Sequence, residues 1–135
     1  MKSKAAFRQE LEETLHGHLT LSHPIFPKLM ESSDSGHDLL KKVTLQGYQL
    51  TKHFLSYVEH LFFYCPEPKF KRALLINVYE EETGRLSQTD NHVVLMQNFI
   101  RALGISEAER DAAVALPATQ ELIDFRLDAV RTREK

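Results

Sequence analysis

A single cysteine, Cys65, stands in this chain of 135 residues. One thiol excludes an internal disulfide framework, and with no signal segment at the N-terminus a reducing cytoplasm is the expected compartment. Cys65 has no activating neighbour in the sequence, so a buried or turn-lining thiol is a better reading than a nucleophile. Long apolar runs are missing too. Stretches such as Leu61-Phe62-Phe63-Tyr64-Cys65 fall far short of the roughly 20 residues a bilayer crossing takes, so no membrane partner is expected. The residues after Met1-Lys2-Ser3-Lys4 include Arg8, Glu10, Glu12 and Glu13, which is not the apolar core of a signal peptide. Neither sign of charge dominates: a formal net charge of -2 gives no broad attraction for nucleic acid or anionic lipid. No HExxH, P-loop, GxGxxG or paired-cysteine zinc pattern occurs, and no spacing argues for Ser-His-Asp catalysis.

Glycine and proline are scarce, five of each, and fall almost entirely between periodic segments, where they act as punctuation. No stretch alternates apolar and polar residues for more than a few positions, and there is no internal repeat. With 42% hydrophobic and 27% charged residues the chain reads as one globular, all-α domain over residues 1–135. Helical spacing predicts a first helix over about 4–16, with Ala5, Phe7, Leu11 and Leu15 inward. His23-Pro24-Ile25-Phe26-Pro27 breaks it and leads to a turn of helix near 28–31. After the loop Ser32–Gly36, rich in capping residues, a long helix runs to about Tyr64. Leu40, Val43, Leu50, Phe54, Val58 and Leu61 form its apolar stripe. Gly47 lies on that stripe. A mid-helix glycine costs about 1 kcal/mol relative to Ala, so it marks close approach of another helix or a ligand. Pro66-Glu67-Pro68 turns into a third helix over about 69–83, closed by Gly84. A fourth covers about 91–103, Ser106–Glu109 is a capping box opening a short helix, and Pro117 starts the last. That last helix reaches Arg131-Thr132-Arg133-Glu134-Lys135 with nothing after it to cover its outer face. The expected architecture is a helical bundle with short connections.

Glu80-Glu81-Glu82 is the first candidate for chemistry. A charge run is usually a solvated face, and successive residues are separated by ~100° around the helix. Summed over Ala73, Leu74, Leu75, Ile76, Val78 and Tyr79, the apolar direction falls close to position 82. Glu82 is therefore expected inward, with Glu80 and Glu81 turned away. A buried carboxylate costs several kcal/mol unless paired or bound to a metal. His92 opens the next helix on the face of Met96, Phe99 and Leu103 and is expected to meet it. An inward carboxylate and imidazole on adjacent helices are how a bundle holds iron, manganese or zinc. The competing reading is a structural Glu82–His92 hydrogen bond, or a histidine capping its own helix. His23, before a proline, either lines a cavity or caps a turn. His53, His60 and His37 are expected at the surface, and His16 and His18 at a helix end.

Asn77-Val78-Tyr79-Glu80-Glu81-Glu82-Thr83-Gly84, then His92-Val93-Val94-Leu95, then Phe99-Ile100-Arg101-Ala102-Leu103-Gly104-Ile105, resembles the heme-oxygenase-like superfamily. The branches concerned are the TenA and PqqC-like proteins and the iron-containing oxidases related to them. Glu81-Glu82-Thr83-Gly84 and His92 match an acidic-Glu-x-Gly motif followed by a helix-opening histidine and an "ALG" helix end. His23-Pro24-Ile25-Phe26 is similar to their "HP" segment, Tyr64-Cys65-Pro66-Glu67 with Arg72 to a "CPD…R" turn, and Pro117-Ala118-Thr119 to the segment that follows. Two departures stand out. Where the related oxidases take a carboxylate from the long second helix, this chain has Thr44, Gly47 and Thr51, while Glu59 is off the stripe. The later helices that carry their histidines and aspartate are not in this chain, which looks like the N-terminal part of such a protein, an incomplete bundle.

The resemblance implies three functions. The first is an iron-dependent oxidase of a small organic substrate with dioxygen, in which Glu82 and His92 are metal ligands. The second is a metal-free PqqC-like oxidase in which His23 and His92 are catalytic. The third is a member without chemistry, a homodimer or partner-binding protein using Leu122, Phe125 and Leu127 of the last helix. A homodimer would let a second copy supply the missing wall.

Overall fold

The computed structural model describes residues 2–131, the side chains of Thr20 and Leu21 excepted. Among these there are eight helices and no strand, the all-α class that the periodicity and the resemblance imply. None of the helices is long and apolar enough to cross a membrane. The expected end of the last helix at Thr132-Arg133-Glu134-Lys135 lies outside the described residues. The chain forms two compact units, Met1–Leu40 and Lys41–Lys135.

The first unit holds α1 (Lys4–His16), α2 (Leu19–Ser22), α3 (Ile25–Leu29) and the start of α4. Ser3 caps α1, its side chain accepting from the Ala6 amide at 3.2 Å. The face expected inward differs from the outcome: Ala5, Phe7, Leu11 and Leu15 are all exposed. Their spacing does make a helical face, but the buried hydrophobic side chains of the described chain all lie beyond residue 40. A stripe is buried only where something packs on it. The turn expected near 28–31 sits earlier, as α3, with Pro27 in its first turn where a missing N–H costs no bond. Four-residue α2 is too short for periodicity to reveal.

The second unit is built on α4 (Asp34–Tyr64), followed by α5 (Pro68–Thr83), α6 (His92–Ala102), α7 (Glu107–Ala112) and α8 (Pro117–Arg131). Its core gathers Tyr48, Ile100 and Ile105, with Leu45, Val93, Met96 and Leu103 against them. Tyr57 and Val58 of α4 and Ile123 and Val130 of α8 are also buried. The buried positions of α4 include Thr44, Tyr48, Gln49, Tyr57 and Val58; of the expected stripe Val58 is buried, while Val43 and Phe54 are exposed. Two glutamines of α4 hold the chain between α7 and α8. Gln49 Nε2 donates to Ala113 O at 3.1 Å and Gln46 Nε2 to Val114 O at 3.0 Å, while Gln46 Oε1 accepts from the Leu116 amide at 2.8 Å. These satisfy backbone groups that no helix serves and fix where α8 begins. The capping box of α7 forms as expected, Ser106 and Glu109 each binding the other's backbone.

Between α5 and α6 the chain turns on Gly84, which ends α5 in the left-handed region with φ 60°. A Cβ there would lie 2.3 Å from Asp90 O and 2.4 Å from Thr89 O, both backbone atoms that cannot swing aside. We expect Gly84→Ala to lower stability by more than the ~1–2 kcal/mol of a left-handed alanine, because the clash adds to it. Urea unfolding followed by circular dichroism measures this, and a loss under about 1 kcal/mol would mean the turn can relax.

Candidate functional site

Three adjacent carboxylates end α5, and each does something different. Glu80 reaches forward over the turn. Its Oε2 accepts from the Leu86 amide at 2.8 Å, and its Oε1 accepts from the Ser87 amide at 3.1 Å and from the Ser87 hydroxyl. The hydrogen bond from the Ser87 hydroxyl, and then those from the two amides, hold its carboxyl below the usual range. Glu81 turns inward, its side chain 12% exposed, and its Oε2 lies 2.7 Å from His92 Nδ1. Glu82 is exposed.

The sequence expectation that Glu82 aims at the core is therefore corrected: the inward carboxylate is Glu81. The expectation weighted Leu75, Ile76 and Tyr79 as buried, and all three are exposed, so the sum pointed to a face of α5 that nothing covers among the described residues. With a step of ~100° per residue, Glu82 follows that exposed face and Glu81 falls toward α6, with which α5 packs. His92 opens α6 as expected, but its side chain is 41% exposed, so it lies at the mouth of the cavity rather than fully inward. Asn91 sets it there by accepting from the Val94 amide at 2.9 Å as N-cap.

Glu81 and His92 line a cavity of about 610 Å³ in the second unit. Gly47, Leu50, Thr51 and Phe54 of α4 form one wall, and Leu95, Met96 and Phe99 of α6 another. The expected stripe of α4 thus faces a groove at Leu50 and Phe54. Gly47 is where the helices come close: a Cβ on it would sit 3.2 Å from Met96 Cε. The close approach read from the sequence is present, made by a side-chain tip.

Sequence reasoning missed Arg126 of α8, which also lines the cavity. The signal was there: Arg126 is three residues after Ile123 and four before Val130, both buried, so helical spacing puts it on the inner face. Its guanidinium lies 5.9 Å from the Tyr57 ring centroid. Burial pushes the Tyr57 hydroxyl's pKa up, Arg126 opposes this, and Asp124 adds to it.

The other histidines are not brought to this cavity. His23 is exposed in the first unit, and its Nδ1 accepts from the Ile25 amide at 3.1 Å, the turn-capping alternative. His60 is only partly exposed, its Nδ1 donating to Ser56 O at 2.7 Å within α4. Cys65 Sγ donates to Glu67 O at 3.6 Å in the turn before α5.

A family described as iron-containing redox enzyme matches residues 41–134, more than half of the chain and nearly the same span as the second unit. Among curated proteins the chain is similar to one named 4-aminobenzoate synthase from Chlamydia muridarum (strain MoPn / Nigg). The two are 26% identical over 106 residues, 78% of this chain and 43% of that protein. The chain thus spans less than half the length of that relative. No solved structure matches it.

Glu80 leads to a pH prediction. Its carboxyl is held below its ordinary value near 4.5 in the folded chain. The stability it confers is therefore complete above that value and lost as pH falls through the lowered one. We expect Glu80→Gln to be less stable than the parent at pH 6, with the difference shrinking steadily toward pH 3 in urea unfolding. A difference independent of pH would show that the charge on Glu80 is not what holds the turn.

Proposed function

This chain belongs to the iron-containing redox enzyme family, and from that premise we propose that it acts in an iron-dependent oxidase, with Glu81 and His92 as iron-site residues and a small organic compound oxidised with dioxygen in the adjoining cavity. The observation that supports this most is the pair itself: an inward carboxylate and an imidazole 2.7 Å apart, on neighbouring helices, in the wall of a mainly apolar cavity.

The donor chemistry fits iron in part. Carboxylate oxygen and imidazole nitrogen are among the donors that non-heme iron(II) takes. A 2.7 Å contact between Nδ1 and a carboxylate oxygen puts a proton on Nδ1, and in the neutral form of such a ring Nε2 carries the lone pair a metal takes. Glu81 keeps a second oxygen, Oε1. The pair can therefore serve as two ligands, or as one ligand with Glu81 orienting it, the carboxylate–histidine arrangement common at metal sites. Among the described residues no third His, Cys, Asp or Glu joins them. The reading accordingly assigns the remaining donors to residues outside those described, in a longer chain or in a second copy. Bound iron would supply electron transfer to and from dioxygen. The chain's own residues do the rest: Leu50, Phe54 and Phe99 offer an apolar surface to the body of the substrate, and Glu81 holds the His92 proton on Nδ1. The relative's name refers to 4-aminobenzoate, a small aromatic acid, a size of compound that a cavity of about 610 Å³ admits.

The test is anaerobic loading with iron(II) after removal of metal by chelator, with bound iron and molar mass measured together. We expect iron retention in the parent and in Glu82→Ala, and at least tenfold weaker retention in Glu81→Ala and His92→Ala. Loss in Glu82→Ala with retention in Glu81→Ala would overturn the assignment. No retention in the parent at any oligomeric state, together with a stable Glu81→Leu, would favour a bundle that has kept its helices without the chemistry.

A further inference from the structure

Of the three ionisable side chains that line the cavity, two are paired with each other. Glu81 and His92 make their contact, and Arg126 is left with no carboxylate within ion-pair distance among the described residues. The Tyr57 ring lies beside it, with its centroid 5.9 Å from the guanidinium carbon. A guanidinium is always charged, and setting one into an apolar wall costs free energy unless an anion meets it. The neighbouring inner positions of α8 are the apolar Ile123 and Val130, so Arg126 is the one cation on that face of the helix among the described residues. The other cavity walls, with Leu50, Phe54, Met96 and Phe99, suit an apolar body.

We infer that Arg126 is the substrate-positioning residue of this cavity, taking the carboxylate of an organic acid whose apolar body lies along Leu50, Phe54, Met96 and Phe99. Arg126 accepts no proton and does no chemistry. It binds the acid end by paired N–H···O bonds, and thereby sets which part of the molecule lies beside Glu81 and His92. The inference rests on the cavity being the substrate site, as proposed above, and it selects carboxylic acids over alcohols, amines and amides of the same shape.

The test needs no turnover and no metal. Met96 lines the cavity, so protein labelled with 13C at the methionine methyl groups reports occupancy by the shift of its Met96 signal. Decanoate and decanamide, kept below their aggregation concentrations, are titrated in parallel. Decanoate should bind the parent at least tenfold more tightly than decanamide. Arg126→Met should bring the two to within about twofold, and Arg126→Lys should restore part of the difference. Equal binding of acid and amide to the parent, or no Met96 shift with either, would overturn the inference, and both readings come from the parent alone should Arg126→Met fail to fold. Glu81→Ala separates this from the iron reading. It should keep the preference for the acid while losing iron. Iron bound at Glu81 and His92 with no preference for the acid leaves the iron site standing and removes the anchor. A preference for the acid in a protein that holds no iron does the reverse.

Discussion

The grip of Glu80 on the turn after α5 decides where everything in the cavity meets. Its two carboxylate oxygens take the amides of Leu86 and Ser87, which fold the chain back immediately beyond Gly84, whose left-handed backbone and missing Cβ let Thr89 and Asp90 pass over it. Thr89 then returns its amide to Gly84 O at 2.8 Å, and Asn91 caps α6 one residue before His92. The contact between Glu81 and His92 follows from this geometry. Neighbouring residues thus divide one charged run into a turn anchor, a partner for His92 and a solvated side chain. None of the three roles is interchangeable, because ~100° of helix separates each from the next.

The cavity owes its shape to a division of labour on α4. Thr44, Tyr48, Tyr57 and Val58 are among its buried positions, while Gly47, Leu50, Thr51 and Phe54 share one face and are left to line open space. Gly47 lets the tip of Met96 come in close. Elsewhere around the helix, Gln46 and Gln49 hold the segment leading into α8. That anchoring fixes where α8 starts, and with it the register that brings Arg126 into the cavity wall. A mainly apolar cavity with a few placed polar groups is the usual form of a small-molecule site, and here those groups come from α4, α5, α6 and α8 together.

What could be read from the sequence follows from how local each signal is. Glycine, proline and capping residues act within a few positions, so Gly84, the box at Ser106 and Glu109, and the proline-led start of α8 were all legible. His92 was legible because its own helix has a well-covered apolar face around Ile100. Glu81 was not. The facing of α5 depends on which of its apolar residues are covered, and Leu75, Ile76 and Tyr79 are left largely exposed. The same cause accounts for α1, whose Phe7, Leu11 and Leu15 are spaced for burial and remain exposed. Arg126 was within reach of helical spacing, but a lone cation on a surface-rich helix draws no notice until the cavity beside it is seen.

Glu81, and neither Glu80 nor Glu82, meets His92. Long-range 1H–15N correlation spectra of the histidine rings test this directly, with His92 assigned by comparison with His92→Ala. The spectra are recorded at a pH where the ring is neutral. The ring should be protonated at Nδ1 and unprotonated at Nε2. Glu81→Ala should shift this pattern toward the mixed tautomers of a solvated imidazole, and Glu82→Ala should leave it unchanged. A ring that responds to Glu82→Ala and ignores Glu81→Ala would put Glu82, not Glu81, against His92.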